Sequence, residues 1–126
     1  MDKKKLLEIL DLNEKWLELG ILTVEELQAL VEEYERNEDK HTEHYRHRAF
    51  RRYLDRKGTE LNESTLRAIY RLGDSDPDKL FGSSVMGAII RRDDCPIDLL
   101  EKSSHSDNKS LAKIALQQLV NRQGIQ

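Results

Sequence analysis

Three of the four histidines, His41, His44 and His47, stand three residues apart in the stretch HTEHYRHRAFRR, interleaved with Arg48, Arg51 and Arg52. Imidazole and guanidinium groups at such density can ligate a metal, hold a phosphate or pair with carboxylates elsewhere in the fold. The metal reading is weakened by helical geometry. On one helix, positions i, i+3 and i+6 splay over about 120°, so the three rings do not meet one ion. Of the better i, i+4 pairings only Glu43 with His47 is present, and the neighbouring arginines repel a divalent cation. No metal and no cofactor is therefore expected. The anion reading is better founded, because arginine's planar fork matches phosphate oxygens and histidine adds attraction as pH falls. A third reading keeps the charge inside the fold. Residues 24–38 are acidic and precede the basic segment 41–57, so an antiparallel pair of helices would neutralise both.

Other chemistry-bearing residues are better explained locally. Ser104, His105 and Asp107 lie in SSHSD, but a catalytic triad is assembled in space and these residue types favour an inter-helix turn. Cys95 stands before Pro96, a residue suited to the first turn of a helix. The acidic run DSDPD lacks the glycine and the distant glutamate of a calcium loop. No catalytic residue is assigned, and the chain is not expected to be an enzyme.

Helices must position these groups. Leu6, Leu7, Ile9 and Leu10 open a first helix that bends or breaks near DLNE and runs on through Trp16. Gly20 closes it, and Thr23 with Glu26 forms a capping box for a second helix carrying Leu27, Leu30, Val31 and Tyr34. A third spans about 41–56. With Tyr45 at zero on its wheel, Ala49, Tyr53, Phe50 and Leu54 spread from about 40° to 180°, and the histidines and arginines take the opposite side. Four more helices follow, carrying Leu66–Leu72, Leu80–Ile90, the segment after Pro96 and Leu111–Val120. Gly82 and Gly87 fall inside one of them, where each costs about 1 kcal/mol relative to alanine. With Ser83, Ser84 and Ala88 they make a small-residue stripe that admits a close helix neighbour, most simply one of the same domain.

A shift of 31 residues aligns Leu66 with Ile97, Ile69 with Leu100, Ser75–Asp76 with Ser106–Asp107 and Leu80 with Leu111. Each copy reads helix, polar turn, helix, which is a solenoid pattern. The segments LRAIYRLGDSDPDKLFGSSVMGAII and CPIDLLEKSSHSDNKSLAKIALQQL resemble HEAT-like repeats, the second above all the variant leucine-rich type. The resemblance covers residues 62–121 and implies stacked helical hairpins with a broad recognition surface. LNEKWLELGILTVEELQALVEEY resembles the helical hairpin of SHOCT oligomerisation domains, which implies a role in self-association.

The totals agree with a helical chain. Of 126 residues, 36% are charged and only 6% aromatic, with two prolines and six glycines, so a turn-rich β fold is disfavoured. The net charge of −3 is unevenly spread: residues 1–40 carry −6, residues 41–60 carry +3 and the remainder is balanced. One cysteine precludes an internal disulfide, and no apolar run reaches bilayer length, so a soluble cytoplasmic protein without membrane contact is expected. The expected fold is all-α, with six or seven helices. It forms a single helical domain over 1–126, in which an N-terminal helical hairpin region (1–58) precedes a short α-solenoid of two stacked hairpins (59–126). The expected function is recognition of a protein partner, as an adaptor, regulator or inhibitor, through an exposed helical face. His44, His47, Arg48, Arg51 and Arg52 are the candidate contacts. The alternative partner is a nucleic acid or phosphate ligand on the same face. Homodimerisation through Trp16 and the N-terminal leucines is a further expectation.

Overall fold

The computed structural model describes residues 2–123, and among them every regular element is a helix. There are eight: α1 (Lys3–Ile9), α2 (Lys15–Glu18), α3 (Val24–Arg36), α4 (Thr42–Lys57), α5 (Glu63–Asp74), α6 (Lys79–Ile90), α7 (Ile97–Ser104) and α8 (Lys109–Gln123). The all-α expectation holds, and the count exceeds six or seven because the first helix is cut in two. Asp11 takes a left-handed conformation (φ 55°), one of the few that a short polar side chain tolerates. The amide of Leu12 then returns to the carbonyl of Leu7 (2.9 Å), which closes α1 in place of a glycine cap. The chain divides into two compact units, with the boundary between Glu60 and Leu61.

In the first unit, sequence-local rules set the helix ends. Asp2 caps α1, and Thr23 and Glu26 exchange side chain–backbone bonds at the start of α3 (3.1 and 3.0 Å). Gly20 takes the expected left-handed turn after α2 (φ 73°). The core gathers Leu6, Leu7, Leu10, Trp16, Ile21, Leu27, Leu30, Tyr45 and Phe50, with Trp16 edge-on to Phe50 at 6.0 Å. Trp16, Leu6, Leu7, Leu10 and Leu12 are buried within this unit, while Leu17 and Leu19 are half-buried.

In the second unit, α5 packs on α6, α7 packs on α8, and α6 also touches α8. The α5–α6 contact is close because two glycines face each other. A Cβ added at Gly73 would come within 2.8 Å of the Gly82 carbonyl oxygen, and one at Gly82 would overlap the Gly73 carbonyl. Of the small-residue stripe, Gly82 meets α5, while Ser83 accepts from the Asn108 side chain at the start of α8 (2.9 Å). The polar turns are built alike: Asp76 accepts from the amide of Asp78, which caps α6, and Ser106 accepts from the amide of Asn108, which caps α8. That correspondence is 30 residues, not 31. At 30, buried Tyr70 matches Leu100, Phe81 matches Leu111 and Val85 matches Ala115. At 31, Leu80, which is 83% exposed, would match Leu111, which is 3% exposed. A leucine at both positions drew the one-residue error.

Candidate functional site

The α4 helix carries all five candidate contacts, and the fold divides them. Arg48 forms an ion pair with Glu33 of α3, and Arg52 lies 3.7 Å from the same carboxylate. Arg56 at the end of α4 donates to Glu26 near the start of α3 (2.6 Å). Burial pushes Glu26 upward, but the Thr23 amide and Arg56 outweigh it and hold the carboxyl below its usual range. The acidic and basic helices thus answer one another within the unit. His44 turns its Nδ1 to Asp39 (2.7 Å). His47 and Arg51 are exposed.

Asp39 organises the start of α4. Its Oδ1 accepts from the backbone amide of His41 and meets the ring Nδ1 of His41, both at 3.0 Å, while Oδ2 meets His44. The phenol of Tyr45 donates to the Asp39 carbonyl (2.8 Å), which fixes this backbone against α4. The His44 ring, the His41 amide and the His41 ring hold the Asp39 carboxyl well below the usual carboxylate range. The ligand-capable atoms of Asp39, His41 and His44 lie within 4.8 Å of one another. A helical wheel does not show this group, because His41 is the N-cap, with extended backbone (φ −83°, ψ 102°), and so does not follow helical angles. The third member comes from the preceding turn instead of from His47.

Arg46 was passed over in the sequence, although it falls at about 100° on the wheel, in the middle of the apolar arc. It is 4% exposed and donates to the Leu10 carbonyl (3.0 Å) and the Thr42 hydroxyl (2.8 Å), with Asp11 at 3.8 Å. The guanidinium joins the end of α1 to the start of α4.

The second unit holds the remaining motifs in structural roles. Ser104 donates to the carbonyl of Glu101 (2.6 Å), and His105 is the exposed C-cap of α7. Arg92 forks onto Asp94, and Arg122 reaches from α8 to the carbonyls of Cys95 and Asp93 (2.7 and 2.8 Å). Burial pushes the Cys95 thiol up to about 11, so it is a poor nucleophile at neutral pH. More conspicuous are apolar side chains left outside. Leu80 of α6 and Leu116 and Val120 of α8 are 83%, 52% and 59% exposed. Leu80 borders a groove between α6 and α8 lined by Ser83, Gly87, Leu111 and Ile114, whereas Leu116 and Val120 line a separate depression along α8 with Lys109 and Lys113. Periodicity groups these three residues with the apolar positions of their helices and does not distinguish an inner from an outer one. No helix among the described residues is long and apolar enough to cross a membrane. Compared with family models, with curated proteins and with solved structures, the chain finds no match.

Proposed function

We propose that this chain is a non-enzymatic protein-interaction module, cytoplasmic in location, acting as an adaptor, regulator or inhibitor. Residues 62–121 serve in this reading as a two-hairpin α-solenoid of the HEAT-like kind. The observation that carries it is the exposure of three large apolar side chains in the second unit, Leu80 beside the α6–α8 groove and Leu116 with Val120 in a separate depression along α8. Large apolar side chains left outside, two of them beside Lys109 and Lys113, mark surface that gains by being covered. The phosphate reading of α4 is less favoured, because Arg48, Arg52 and Arg56 already face Glu33 and Glu26. Arg51, exposed on α4, is the member best placed for a partner.

The test is affinity capture from source-cell lysate, with and without nuclease, comparing the wild-type chain with a Leu80→Glu, Leu116→Glu, Val120→Glu variant. A defined protein is expected on the wild type after nuclease treatment and not on the variant, whose helix content should be unchanged by circular dichroism. Equal retention by the folded variant would remove these three positions from the reading. Release of everything by nuclease would move nucleic acid ahead and make Arg51 the first residue to map.

A further inference from the structure

We propose that Asp39, His41 and His44 form a binding site for a divalent transition-metal ion of the zinc class. Two imidazole nitrogens and one carboxylate converge at the start of α4, with all three donor atoms within 4.8 Å of one another. In a tetrahedral zinc site, bonds of about 2.0–2.1 Å place ligand atoms about 3.3 Å apart. Asp39 Oδ1 stands 3.0 Å from His41 Nδ1 and Oδ2 stands 2.7 Å from His44 Nδ1, so seating the ion requires the carboxylate to draw back by some tenths of an ångström and the outermost of the ligand atoms, now within 4.8 Å, to close in. The His41 and His44 rings already stand side by side, with centroids 5.1 Å apart.

The surroundings favour the ion more than the sequence implied. Lys40, between the ligands in sequence, sends its ammonium to the carbonyls of Tyr34 and Glu35 at the end of α3 (2.7 and 3.3 Å). Arg48 faces Glu33, and Arg46 is buried against Leu10. The cations that would repel a metal are held elsewhere. The Tyr45 hydroxyl anchors the Asp39 backbone, which lowers the ordering cost of bringing the carboxylate to the ion. A set of two imidazoles and one carboxylate suits zinc, nickel or copper(II) and not calcium or magnesium, which seek oxygen. Three protein ligands leave a fourth position to water or to a donor from another molecule.

The test titrates the tag-free full chain with Zn²⁺ by calorimetry and follows thermal unfolding in parallel. One ion per chain is expected, with a rise in melting temperature that neither Mg²⁺ nor Ca²⁺ reproduces. His41→Ala and His44→Gln should each weaken binding by more than the roughly tenfold that loss of an outer-shell partner costs. His47→Ala, one turn further along α4, should bind as the wild type does. Asp39→Asn completes the set, and circular dichroism confirms that each variant is folded. The proposal is overturned by an absence of saturable binding with about 100 µM Zn²⁺, a concentration at which an equally weak site would be half filled. Binding that survives in both histidine variants, or falls equally in His47→Ala, overturns it as well.

Discussion

Arg46 shows how one residue can be misread from its type. Its charge suggests water, its wheel position suggests the core, and the fold satisfies both by giving the buried guanidinium the Leu10 carbonyl and the Thr42 hydroxyl. Arg46→Met keeps most of the stem and removes the donors, leaving a buried carbonyl without its charged partner. We expect a loss of about 1–3 kcal/mol, measured as a lower urea midpoint. Arg46→Ala should cost more, because the packed stem is lost as well. An Arg46→Met variant as stable as the wild type would mean that the residue acts only through its hydrocarbon. The same attention to partners applies to Arg48, whose replacement by Glu would set two carboxylates against each other and confuse a binding test with a folding defect. Arg51→Glu carries no such ambiguity, since Arg51 is exposed.

Between elements, the approach of α5 to α6 rests on glycine. At Gly82 an added Cβ overlaps the Gly73 carbonyl, a backbone atom that moves only if the helices part. At Gly87 the nearest atom is the end of the Arg91 side chain at 3.1 Å, which can swing aside. The same chemical change should therefore have opposite signs at two positions of one helix. Gly82→Ala should lose about 1–3 kcal/mol through overpacking. Gly87→Ala should gain up to about 1 kcal/mol of helix propensity. Chemical denaturation of both variants reads the contrast, and equal effects would remove the close-approach account. Element ends were well legible beforehand: Thr23, Asp78 and Asn108 are turn-forming residues that do cap α3, α6 and α8. Pro96 lies one residue earlier than expected, as the N-cap of α7.

At the scale of the molecule, the units on either side of Glu60 each have an apolar core of their own. Residues 61–126 contain two helix pairs, the Tyr70–Ser103 bond buried at 2.7 Å, and the Arg122 link from α8 to the loop after α6. We expect this segment, expressed alone, to be helical and to melt cooperatively. Domains of about 60 residues are marginal, so a melting temperature below that of the whole chain is consistent with independence. A broad, non-cooperative transition would show that the segment needs residues 1–60 to fold.

The sequence by itself determined the helical class, most helix boundaries, the break near Asp11 and the apolar faces, because periodicity and capping are local properties of a few adjacent residues. It also held the opposed charges of α3 and α4, which differ only in sign along the chain. Tertiary structure alone decided that Arg46 lies inside and that Leu80, Leu116 and Val120 lie outside. Burial depends on which neighbour covers a face, and that neighbour is distant in sequence. The meeting of Asp39 with His41 and His44 was also hidden, although the three are close in the chain. Their convergence depends on the extended backbone at the N-cap of α4, which a helical wheel does not represent.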